Sequence, residues 1–132
     1  MRSVVLLLCS CAVAFAAVDF DREVRPILSD NCFTCHGPDA KKRMANLRFD
    51  TPDGGVFANH IVVPGKSAES HLFQRISATD AKHMPPAASG RTLTPHQIDT
   101  IQLWIDQGAK WESHWAFIAP KRPIAPSTNE PA

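Results

Sequence analysis

Cys32-Phe33-Thr34-Cys35-His36 places two thiols and an imidazole in one short run. A Cys-x-x-Cys-His pattern is where haem is attached covalently. Each thiol can add to one vinyl group of the porphyrin, and the two-residue spacer brings both sulfurs to one turn. His36 then falls under the ring and can give its imidazole to the iron. Three other readings compete. A zinc half-site needs two further ligands at similar spacing. No cysteine follows Cys35, and His60, His71, His83, His96 and His114 show no paired H-x-x-x-H spacing. A redox dithiol belongs in a βαβ context, and none is visible. A Cys32–Cys35 disulfide closes a tiny loop, stabilises little and leaves His36 unexplained.

The start of the chain reads as a secretory leader. Met1-Arg2-Ser3 is a short basic opening, Val4 to Ala17 is an uncharged apolar run, and Ala14-Phe15-Ala16 fits the small-x-small cleavage rule. The run is short and wrongly flanked for a transmembrane helix. Residues 1–17 are therefore expected to be removed, taking Cys9 and Cys11 with them. Haem attachment in bacteria occurs outside the cytoplasmic membrane. Export to the periplasm or cell envelope, and handling by haem-maturation machinery, therefore agree with the Cys-x-x-Cys-His reading. Leu8-Cys9-Ser10-Cys11 also resembles a lipobox, and only lipidation at Cys11 would tie the protein to a membrane.

The mature chain, of roughly 115 residues, is the size of one domain. The sequence carries 14 Lys and Arg against 13 Asp and Glu, and loss of Arg2 with the leader balances them. That balance argues against nucleic acid as a partner. Lys41-Lys42-Arg43 is a local exception just after the haem motif. It reads either as a solvated loop or as a docking patch for an acidic redox partner.

Periodicity predicts three helices. Over Asp19 to Asn31, Phe20, Val24, Ile27 and Leu28 form one apolar stripe, with Asp19 as N-cap. Pro26 fits only if this helix starts late or bends there. A second helix is expected over Ser67 to Ser77, with Ser67 as cap and Leu72, Phe73 and Ile76 on its buried side. The third, Thr94 to Gln107, opens on a Thr94-Pro95-His96-Gln97 capping box and buries Ile98, Ile101, Trp104 and Ile105. Gly108 is placed for a left-handed C-terminal cap. Residues 37–65 and 78–93 read as long loops, with a short extended piece at Leu47 and Phe49. Loops of that length are unusual in a compact domain, unless a cofactor supplies the apolar core they wrap. The fold expected is all-α: about three helices and long loops around one haem. From Trp111 onward the sequence turns aromatic and then proline-rich, which reads as a linker or tail over 111–132.

An electron-transfer haem usually has both axial positions filled, commonly by His and Met. Met84, in a loop and followed by Pro85 and Pro86, is the natural second ligand. The prolines restrict the backbone that presents its thioether, and soft sulfur raises the potential. Met44, His83 and His60 are the rivals. Arg48, Arg75, Arg91 and Trp104 are candidate donors to the haem propionates.

The stretches FDREVRPILSDNCFTCHG (Phe20 to Gly37), LRFDTPDG (Leu47 to Gly54), VVPG (Val62 to Gly65), Met84-Pro85-Pro86, Leu93 to Gly108, and Trp111 with His114-Trp115-Ala116-Phe117 together resemble the planctomycete-type cytochrome c domain. The resemblance implies a small class I-like cytochrome c fold. It implies thioethers at Cys32 and Cys35, proximal ligation by His36 and distal ligation by Met84. In that family the domain usually opens a much longer exported protein, so the chain is expected to be a fragment or a stand-alone variant. The function expected is single-electron transfer to redox partner proteins through one covalent haem c, not catalysis. A haem enzyme or sensor with a labile distal ligand is the first alternative. A docking module for missing C-terminal domains is the second.

Overall fold

The computed structural model describes residues 16–112. Cys9, Cys11 and most of the leader lie outside that range, as do His114-Trp115-Ala116-Phe117 and the proline-rich end. The described chain is all-α, with no strand. No described helix is long and apolar enough to cross a membrane.

The first helix differs from its expected form in one respect. It opens as a π-turn over Phe20–Val24 and continues as helix α1, Arg25–Asn31. Asp19 caps it, its carboxylate accepting the Arg22 N–H at 3.0 Å, while Glu23 accepts the Asp19 N–H at 2.8 Å. The wide turn explains how Pro26 is accommodated. The Arg25 N–H donates five residues back, to the Phe20 carbonyl. Pro26, with no N–H to offer, then sits in the first turn of α1, where proline is tolerated.

The expected second helix is divided. A 3₁₀ turn covers Ser67–Glu69, and helix α2 runs over His71–Ile76. The break is at Ser70, which is extended and fully buried. Its hydroxyl accepts the Val63 N–H at 2.8 Å and donates to the Lys66 carbonyl at 2.9 Å. These local bonds compete successfully with helix continuation. Ser67 does not cap the helix with its side chain; its N–H and hydroxyl both donate to the Asp106 carboxylate, at 2.9 and 3.0 Å. That contact ties the 3₁₀ turn to the end of helix α3.

Helix α3, Pro95–Asp106, follows the sequence closely. Both hydrogen bonds of the capping box are present: the Gln97 N–H to Thr94 at 3.2 Å and the Thr94 N–H to Gln97 at 2.8 Å. Gly108 takes φ +100° after the helix, and Ala109 follows at φ +49°, so the chain turns back sharply.

The core lies where the π-turn, α1, α2 and α3 meet. Phe20, Val24 and Leu28 pack with Ile101, Trp104 and Ile105, and with Leu72 and Ile76 of α2. Each such side chain contributes about 1.5–3 kcal/mol on burial. Trp111 folds back onto this core, its ring centroid 4.3 Å from that of Phe20. The 37–65 segment carries no regular helix or strand, yet it sends Phe49, Val56 and Val62 into the same core. The short extended piece expected at Leu47 and Phe49 is not a strand; the Phe49 N–H instead donates to the His36 carbonyl at 2.8 Å.

Candidate functional site

A cleft of about 320 Å³ opens between the C-terminal end of α1, the loop after it, α2 and the 84–91 segment. Its size falls in the ~300–1,000 Å³ range of cofactor sites. Cys32, Cys35, His36 and Met84 all line it. Three of these come from one turn; Met84 is distant in sequence and is brought in by the fold.

The attachment turn grows directly out of α1. Cys32 is the C-cap residue, its N–H bonded to the Leu28 carbonyl at 2.8 Å. The Cys35 and His36 N–H groups both return to the Cys32 carbonyl, at 3.1 and 2.7 Å. This tight winding turns Cys32, Cys35 and His36 to one cleft. Gly37 closes the turn, and a Cβ there would lie 2.2 Å from the Phe33 carbonyl oxygen.

Cys32 and Cys35 are unpaired thiols. Burial pushes the Cys32 thiol up to about 12, against a smaller opposing pull from Arg91. A reactive dithiol requires the reverse shift, so the redox reading loses ground. Among the described residues no group of three or more His, Cys, Asp or Glu is placed to hold a metal ion.

His36 is fixed from behind. Its Nδ1 lies 3.3 Å from the Met44 carbonyl oxygen. With the Nδ1 proton donated there, the Nε2 lone pair is free for a metal, the usual arrangement for a ligating imidazole. Burial lowers the His36 pKa, and the Met44 carbonyl offsets that in part. The net shift is downward, which favours the neutral ring that a ligand must have.

Met84 enters on a segment held to α2, where its N–H donates to the Arg75 carbonyl at 2.9 Å. The Met84 side chain is 37% exposed. His83 directs Nδ1 to the Pro85 carbonyl at 3.1 Å and, like His60, does not line the cleft. Met44 does line it, although its backbone is bonded to the Cys35 carbonyl as well as to His36.

Helix α2 provides one wall: Leu72 and Ile76, expected on its buried side, and Arg75, a propionate candidate, line the cleft. His71 lines it too and was not foreseen; its i, i+4 spacing to Arg75 is the signal that points to it. Among the propionate candidates, Arg75 and Arg91 line the cleft. Arg48 is engaged by Asp50, with Nε to Oδ1 at 3.0 Å, and the Trp104 indole N–H donates to the Lys110 carbonyl at 3.0 Å. No described carboxylate lines the cleft. Two thiols, two imidazoles, two thioethers, apolar walls and two guanidiniums fit an anionic, iron-bearing porphyrin. In the basic run, Arg43 has a structural task, donating to the Gly37 and Pro38 carbonyls at 3.1 and 2.9 Å. Lys41 and Lys42 remain exposed.

No curated protein and no solved structure matches the chain. Residues 32–88, which run from the first thiol of the attachment turn past Met84, match the family model described as planctomycete cytochrome C, a finding that supports a planctomycete-type cytochrome c domain over that stretch.

Proposed function

We propose that residues 18–110 form a monohaem c-type electron-transfer domain of an exported protein, with residues 1–17 as its leader. The carrying observation is that Cys32, Cys35, His36 and Met84 line a single apolar cleft. Cys32 and Cys35 would hold haem c through thioethers, and His36 Nε2 and Met84 Sδ would be its axial ligands. Bound haem iron supplies a reversible one-electron couple.

The chain's own residues perform the rest. The Met44 carbonyl holds the Nδ1 proton of His36 and so keeps Nε2 as the donor atom. Arg75 and Arg91 supply positive charge for the carboxylates of the cofactor. Ile61, Leu72 and Ile76 limit water and lower the local dielectric. Two filled axial positions leave none for substrate, which favours electron transfer over catalysis. Lys41 and Lys42, close in sequence to the exposed Met44, suit docking of an acidic redox partner.

The test is co-expression with haem-maturation machinery. One covalent haem by mass, sharp low-spin bands on reduction and a weak far-red sulfur-to-iron band on oxidation support the proposal. Absence of covalent haem rejects it. The 37% exposure of Met84 favours a second reading, a sensor or enzyme whose distal ligand leaves. Rapid carbon monoxide uptake by the ferrous protein would select that reading.

A further inference from the structure

We infer that Phe49 is the positioning residue that sets the rotation of the His36 imidazole. This rests on the haem reading above, with His36 as iron ligand. The two rings meet edge to face, with centroids 5.8 Å apart and planes at 87°, a favourable aromatic geometry. The same residue is bonded to His36 a second time, through its N–H to the His36 carbonyl at 2.8 Å. Phe49 is 4% exposed, so its ring has little freedom to move away.

The support beneath Phe49 is itself rigid. Arg48 and Asp50, on either side, form an ion pair, and the Arg48 N–H donates to the Gly54 carbonyl at 2.9 Å. A Cβ at Gly54 would lie 2.4 Å from the Arg48 Cβ, so the two arms of this loop are in full contact. Ala45 and Asn46 are both left-handed, at φ +54° and +50°. They turn the chain between Met44, which holds Nδ1, and Phe49, which meets the ring edge-on. The imidazole turns about its Cβ–Cγ bond, and the one hydrogen bond at Nδ1 leaves part of that rotation open. An edge-on aromatic ring removes that freedom. Outer contacts of this kind orient metal-bound histidines.

The orientation of an axial imidazole selects the iron d orbital that holds the unpaired electron of low-spin ferric haem. It is therefore readable in the spread of the haem methyl proton shifts and in the electron paramagnetic resonance g values. The experiment uses the haem-loaded protein, with covalent haem and low-spin optical bands established first, so that failure of the haem reading is seen separately. Phe49→Leu is expected to keep those bands while changing the methyl-shift spread and g values. Leu93→Ala, a buried truncation that does not line the cleft, is expected to lower stability and leave both signatures as in wild type. Unchanged signatures in Phe49→Leu, or equal changes in both variants, would overturn the inference. The wild-type ferrous protein gives a second test should Phe49→Leu not fold. Nuclear Overhauser contacts between the Phe49 and His36 rings are expected, and their absence overturns it equally.

Discussion

The Nδ1 atom of His36 and the carbonyl oxygen of Met44 lie 3.3 Å apart. The bond is made by the Met44 backbone, so residue 44 does its work on His36 whatever side chain it carries. It also places Met44 on His36's own wall of the cleft, while Met84 is bonded to α2.

The two methionines should therefore behave differently. Met84→Ala is expected to abolish the far-red sulfur-to-iron band and yield a high-spin ferric spectrum. Met44→Ala, which keeps the carbonyl, is expected to retain both the band and the low-spin state. Loss of the band in Met44→Ala would reverse the ligand assignment.

Gly37 offers a test of the attachment turn. A Cβ there would sit 2.2 Å from the Phe33 carbonyl oxygen and 2.9 Å from its carbon. These are backbone atoms within Cys32–His36 and cannot rotate away. Gly37→Ala is expected to lower the yield of haem-loaded protein several-fold and to reduce its melting temperature. Wild-type loading and melting would show that the turn can open without penalty.

Residues that carry a local signal were the legible ones. Thr94, Gln97 and the α3 stripe obey a capping box and a 3.6-residue period, and the structure follows them. Cys32, Cys35 and His36 are legible because their spacing is their chemistry. Ser70 was not legible, because what ends the preceding turn is a set of bonds to Val63 and Lys66 that exists only after folding. The Met44 carbonyl escaped because a backbone acceptor leaves no trace in residue type, and Phe49 because its contact with His36 exists only after folding. Pro26 signalled that the first helix must adjust, but not that a π-turn would be the means.

Asp50 should make stability acid-sensitive. Its hydrogen bond from Arg48 is the largest cause that holds its carboxyl below the ordinary value, with burial opposing. The unfolded carboxyl, at about 3.9, binds its proton first as pH falls. The contribution is thus fully present above pH ~4–5 and is lost as pH drops through the lower folded value. Chemical denaturation at pH 7 and pH 2 should show Asp50→Asn less stable than wild type at pH 7 only. A gap of equal size at both pH values would mean that the charge of Asp50 is irrelevant.

Trp111 closes the domain against its first turn. Its ring stacks at a tilt on Phe20, and the Arg25 guanidinium lies 4.9 Å from the Phe20 centroid while donating to the Glu112 carbonyl at 2.8 Å. Asp21 fixes Arg25 from the other side at 2.6 Å. Complete truncation of a buried Trp costs about 3–5 kcal/mol. Trp111 is only partly buried, so Trp111→Ala is expected to cost about 2 kcal/mol in a denaturant titration. It lies outside the cleft lining, so the optical spectrum of the folded variant should match wild type. A loss of that size with an unaltered spectrum identifies Trp111 as a fastener of the fold. A spectral change would mean that the aromatic cluster around Phe20 and Trp104 transmits strain to the cofactor cleft.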